Sequence, residues 1–117
     1  MPDPRSLKEH NVVLWKKGTL PLEETEIAQL IAQIPQWHME DSSGIKQLVR
    51  GFEFAGAAEA AQFSSYIKVM ADTVNHHPLQ ELNGATLTLR WWTHSIKGLH
   101  LNDFIMAARS DELFRSN

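Results

Sequence analysis

Residues 85–94 read ATLTLRWWTH, and their alternation organises the reading of the whole chain. Successive side chains of a strand point to opposite faces. Ala85, Leu87, Leu89 and Trp91 therefore share one face, and Thr86, Thr88, Arg90, Trp92 and His94 share the other. The first set belongs against helices. The second carries an arginine and a histidine, so it faces solvent, a second subunit or a ligand. Such a strand belongs to a sheet covered on one side.

The neighbouring segments fit that sheet. A shorter strand spans about Leu79 to Leu82, with Asn83-Gly84 as the turn or bulge into the main strand. Before it, AGAAEAAQFSSYIKVMADTVN (55–75) is helical in composition and period, with Ala60, Phe63, Ile67, Met70 and Val74 on one face. Earlier still, WHME (37–40) reads as a strand, DSSG (41–44) as a turn and IKQLVRGFEF (45–54) as the second strand of a hairpin. LEETEIAQLIAQI (22–34) places Ile27, Leu30, Ile31 and Ile34 on one helical face. Glu23, Glu24 and Glu26 suit the positive end of its dipole, and Pro35 ends it. A last helix runs from about Leu101 to Leu113, with Phe104, Ile105 and Ala108 on its buried face.

The order helix, two strands, helix, two strands, helix predicts an α+β fold, an antiparallel sheet with helices on one face. Residues 19–117 are expected to form a single domain. Residues 1–18 are a polar arm with two prolines, partly ordered through Val12, Val13, Leu14 and Trp15. The open sheet face, with Trp92 and Arg90, is a candidate subunit interface. An exposed antiparallel edge and an apolar sheet face favour a homodimer or homotetramer over a monomer.

Composition removes several function classes. The 117 residues suffice for one core. A net charge of −3 argues against a direct nucleic-acid grip, which needs a concentrated basic face. Protein partners stay open. The absence of cysteine excludes disulfides, zinc–thiolate sites and thiol nucleophiles. The N-terminus has no apolar core of signal-peptide length and no segment has the length of a membrane span, so a cytoplasmic setting is expected.

The chemistry concentrates in DTVNHHP (72–78) and WWTHSIKGLHLND (91–103). Asp72 and His76 stand four apart at a helix end, where a carboxylate would fix the imidazole tautomer and the helix dipole would favour the imidazolium. Against this stands a plain surface histidine near a helix C-terminus. Pro78 forces His77 to be extended, so His76 and His77 should diverge, which suits two roles around one ligand better than two bonds to one metal. No HxH or HxxxH spacing supports zinc or iron. His94 reads either as a strand-end site residue or as a solvent-facing histidine. His100-x-x-Asp103 resembles a capping box, so Asp103 is also readable as a simple helix cap. His10 and His38 have no partners that the sequence suggests. Trp91 and Trp92 read as core plus interface, and Gly98 as a loop residue. There is no GxGxxG, P-loop or GxSxG.

Taken together, Asp72-x-x-x-His76-His77-Pro78, Thr93-His94, Gly98-Leu99 and Asp103 resemble the pterin-4a-carbinolamine dehydratases. The resemblance spans about residues 20–113, with its identifiable motifs in 72–103. It implies a four-stranded antiparallel sheet with helices on one face. It also implies a reaction, the loss of water from the 4a-hydroxytetrahydrobiopterin that aromatic amino acid hydroxylases leave behind, giving the quinonoid dihydropterin and so recycling their pterin cofactor. By position, His76 and His94 would be the acid–base pair at the C4a–N5 edge, and His77 would orient the ring or share the proton transfer. Asp72 would orient His76, Asp103 would lie near the site and Pro78 would shape its wall. No metal or redox cofactor is implied. The family's protein-binding precedent implies an alternative, a non-catalytic dimeric assembly module. The chain departs from the family's common pattern at Gln80 and Gly84, where aromatic residues are usual, and at His100 and Asn102.

Overall fold

A computed structural model describes residues 4–13 and 18–116. Helix α1 (Glu24–Ile31) opens on a capping box, in which the Glu23 N–H donates to the Glu26 carboxylate (3.1 Å). Strands β1 (His38–Ser42) and β2 (Ile45–Glu53) form a hairpin closed by Ser43 and Gly44, both at positive φ. The Asp41 carboxylate accepts the Gly44 N–H and fixes that turn. Helix α2 (Ala57–Val74) crosses to strand β3 (Leu79–Asn83), which pairs with β4 (Thr86–Trp91). A single 3-10 turn (His94–Ile96) leads to helix α3 (Leu101–Ser116).

The four strands form one antiparallel sheet in the order β1-β2-β4-β3. The expected faces of the main strand hold. Leu87, Leu89 and Trp91 are fully buried with Leu48 and Phe52 of β2 and with Phe63, Ile67, Phe104 and Ile105 from the helices. On the other face Arg90 reaches Glu40 on β1 (2.7 Å) and Glu81 on β3 (2.6 Å). The arginine, expected to face solvent, a subunit or a ligand, thus bonds two carboxylates of its own sheet.

Four details differ from the sequence reading. The β3–β4 turn is Gly84-Ala85 rather than Asn83-Gly84, because Asn83 still pairs with Thr86 and Gly84 supplies the positive φ. Strand β4 stops at Trp91, so Trp92 leaves the alternation and packs partly against the core, while His94 opens a 3-10 turn. Helix α3 buries Met106 and Ala107 fully, whereas Ala108 is only partly covered. Residues Pro4–Glu9 form a 3-10 helix packed on α3 and place Leu7 in the core. Val12 packs against that core, while Leu14 and Trp15 lie outside the described residues.

Candidate active site

The end of α2 sets the geometry. Asn75 adopts the left-handed conformation (φ 52°), and the His76 N–H returns to the Ala71 carbonyl (3.2 Å). This is a Schellman-type C-cap with His76 as the residue beyond it. The reversal removes His76 from the helical face that Asp72 occupies. The expected Asp72–His76 contact is therefore replaced by two others. The His76 Nε2–H donates to Asp103 Oδ1 (2.7 Å), and the His77 Nε2–H donates to Asp72 Oδ1 (2.6 Å). The divergence of the two rings is as the sequence suggested: His77 is exposed, whereas the His76 side chain is only 15% accessible.

Asp103 is completely buried, and its carboxylate is satisfied from three directions. Oδ1 accepts from His76, and Oδ2 accepts from the Thr93 hydroxyl (2.9 Å) and the His100 N–H (2.9 Å). A buried carboxylate is tolerable only with such a donor set. The bond to His100 is the predicted helix cap, so Asp103 caps α3 and grips His76 with the same carboxylate. Its hold on Nε2 leaves Nδ1 of His76 as the nitrogen available to a substrate. The His76 ring lies 5.4 Å from the Trp91 ring, centroid to centroid.

Above this pair lies a cavity of about 480 Å³, lined by His76, His77, His94, Thr93, Ser95, Asn75, Asn102 and three valines, Val12, Val13 and Val74. The three sequence-selected histidines thus border one space, and the exposed His94 stacks on Trp92 with ring centroids 4.4 Å apart. Asp103 lies beneath this wall. Asp72 and Pro78 are absent from it; Pro78 directly precedes β3. Asp72 also accepts from Lys68 (3.1 Å), and the bonds from His77 and Lys68 hold its carboxyl below the usual carboxylate range. The His100 imidazole is pushed down by burial, and its Nδ1 accepts the Asn102 N–H (3.1 Å). Among the described residues no group of three His, Cys, Asp or Glu side chains is arranged to hold a metal ion.

Sequence reasoning passed over Thr93 as a carboxylate partner, and Asn102 and the two arm valines as part of the wall. Its one usable signal for the arm was the apolar run Val12-Val13-Leu14-Trp15, read as partly ordering it. The loop that carries Thr93 is braced by the Thr93–Gly98 bridge and by the Leu22 N–H, which donates to the Leu99 carbonyl (2.8 Å).

Comparison with known proteins finds relatives along most of the chain. The sequence model of the family described as "Pterin 4 alpha carbinolamine dehydratase" matches residues 20–113. A Chlorobium luteolum protein named "Putative pterin-4-alpha-carbinolamine dehydratase" is 38% identical over 109 residues, covering 93% of this chain and 96% of that one. A protein of the same name from Saccharophagus degradans is 40% identical over 95 residues, 81% of this chain and 82% of that one. The crystal structure of a Brucella melitensis protein described as transcriptional coactivator/pterin dehydratase superposes with a TM-score of 0.71. It is 22% identical and covers 80% of this chain and 97% of that one, which supports the fold. With the family pattern matched over residues 20–113 and relatives this similar along most of their length, the chain belongs to the pterin-4a-carbinolamine dehydratase family.

Proposed function

We propose that the protein dehydrates 4a-hydroxytetrahydrobiopterin to quinonoid dihydropterin through histidine acid–base chemistry. The observation that carries this reading is the His76–Asp103 pair beneath a cavity that His77 and His94 also border. In the reaction a proton goes to the C4a hydroxyl and the C4a–O bond breaks. The N5 lone pair forms the C=N bond, and the N5 proton is lost, so the sum is the loss of one water. Both transfers suit groups that titrate near neutrality. His76, oriented by Asp103, and His94 are the acid–base pair. His77, tied to Asp72, orients the ring or shares a transfer. The elimination needs no metal or redox cofactor, because the pterin's own nitrogen lone pair drives it.

The test is dehydration of carbinolamine generated in situ by a phenylalanine hydroxylase and followed by pterin absorbance. The wild-type protein should accelerate it, and His76→Ala or His94→Ala should lose about 10²-fold or more, the scale of general acid–base catalysis. A folded wild-type protein without acceleration would overturn the reading.

A second reading, assembly as a homodimer or homotetramer with a protein-binding role, rests on Tyr66 and Val69 of α2 and Leu79 and Leu82 of the edge strand β3. All four are exposed apolar side chains. The Brucella neighbour's description as a coactivator is compatible with it. Light scattering on wild type and Leu82→Lys would show a mass above the monomer that falls in the variant.

A further inference from the structure

Among the described residues the cavity has three aliphatic side chains in its lining, and two of them come from the N-terminal arm. The arm segment lies outside the span that the family pattern matches. It is held by α3 at two points. The Arg109 guanidinium donates to the Lys8 carbonyl (3.1 Å) and the His10 carbonyl (2.6 Å). Seven residues earlier on that helix, Asn102 satisfies both backbone groups of Val13. Its Oδ1 accepts the Val13 N–H (2.7 Å) and its Nδ2 donates to the Val13 carbonyl (2.5 Å). An amide suits this task, because its adjacent oxygen and nitrogen meet a donor's and an acceptor's needs at once. Asn102 is itself buried, and it adjoins Asp103, so the wall and the His76 partner are set by consecutive residues of α3. Val13 remains 50% exposed and lines the cavity.

We infer that Val12 and Val13 form the apolar wall against which the pterin ring packs, and that Asn102 is the positioning residue that holds this wall in place. The inference rests on the dehydratase reading for its ligand, and it adds a part of the site that belongs to the arm. A flat heterocycle entering a cavity lined otherwise by Val74 and by imidazoles, hydroxyls and amides needs apolar cover, and the arm supplies two of the three aliphatic side chains. The wall does no proton chemistry, so it should act on substrate binding while leaving the chemical step alone.

The experiment compares wild type, Asn102→Ala and Val13→Ala in steady-state dehydration. It also follows hydrogen exchange of residues 8–13 with and without 7,8-dihydrobiopterin. KM should rise about tenfold in each variant with kcat within about twofold, the mark of lost uniform binding. Dihydrobiopterin should slow exchange at Val12 and Val13 in the wild type and fail to do so in Asn102→Ala. Val13→Ala, at a half-exposed position, keeps the test valid should Asn102→Ala fold poorly. Unchanged KM in Val13→Ala, or no protection of Val12 and Val13 in a protein that turns over, overturns the inference. If the wild type does not turn over, the dehydratase reading falls. The wall then stands only if dihydrobiopterin still protects Val12 and Val13, and otherwise it falls too.

Discussion

At the scale of single residues, the decisive contact is His76 with Asp103, which stand 27 apart in sequence. Asp103→Asn keeps the shape but removes the anion that fixes the His76 tautomer. It should lower kcat about 10–100-fold, the usual cost of losing an orienting partner, with steady-state kinetics as the readout. Asp72→Asn touches the exposed His77 and Lys68 and leaves the His76–Asp103 bond alone, so its effect on kcat should be smaller than that of Asp103→Asn in the same assay. The sequence identified all of these residues but paired Asp72 with the wrong histidine. The i, i+4 rule holds only while the helix continues, and the left-handed Asn75 ends it one residue too early.

At the scale of elements, the start of α3 is where cap and site coincide. Burial holds the His100 imidazole below its usual value of 6.5 in the folded protein. The unfolded chain therefore binds the proton more readily. The stability that neutral His100 gives is full above pH 6.5 and is lost as the pH falls from there toward its lower folded-state value. His100→Asn keeps a capping side chain without a titrating group, so the fall in thermal stability between pH 7.5 and 5.5 should flatten in that variant. The preceding loop is equally constrained. A Cβ on Gly98 would lie 2.8 Å from Pro21 Cβ and 3.1 Å from its Cγ. A proline ring tied down by the neighbouring Leu22–Leu99 bond cannot swing away. Gly98→Ala should cost about 1–3 kcal/mol in urea denaturation, as overpacking does. The capping box at residues 100–103 was legible because it is local. The Gly98 requirement was not, since Pro21 is far away in sequence.

At the scale of the whole molecule, one buried cluster joins the hairpin, α3 and the segment after α1. Asp111 accepts from the Trp37 indole N–H (2.8 Å) and from Arg50, whose guanidinium lies 4.2 Å from the centre of the Phe52 ring. Burial pushes the Asp111 carboxyl up even against these two donors, so the pair is held at a desolvation cost. Asp111→Ala would strand the Arg50 charge and the Trp37 N–H, and should destabilise by about 3–5 kcal/mol in equilibrium unfolding. Sequence patterning could not rank Asp111 above any other charge on a terminal helix. Its partners come from positions 61 and 74 residues away.

By itself the sequence determined the elements, their order and the buried faces. These follow from local signals: the alternation of 85–91, the helical face through Phe63 and Ile67, and a turn within 41–44, which the structure narrows to Ser43-Gly44 because β1 runs on through Ser42. It also determined the family, through residues 72–78 and 93–103. The tertiary structure decided which carboxylate meets which histidine, that Arg90 is spent within the sheet, and that the arm walls the cavity. Each of these depends on side-chain or side-chain–backbone bonds between residues brought together by the path of the chain. Periodicity carries no information about such bonds. Burial makes them strict, because a buried carboxylate or amide must find its partners wherever the fold has put them.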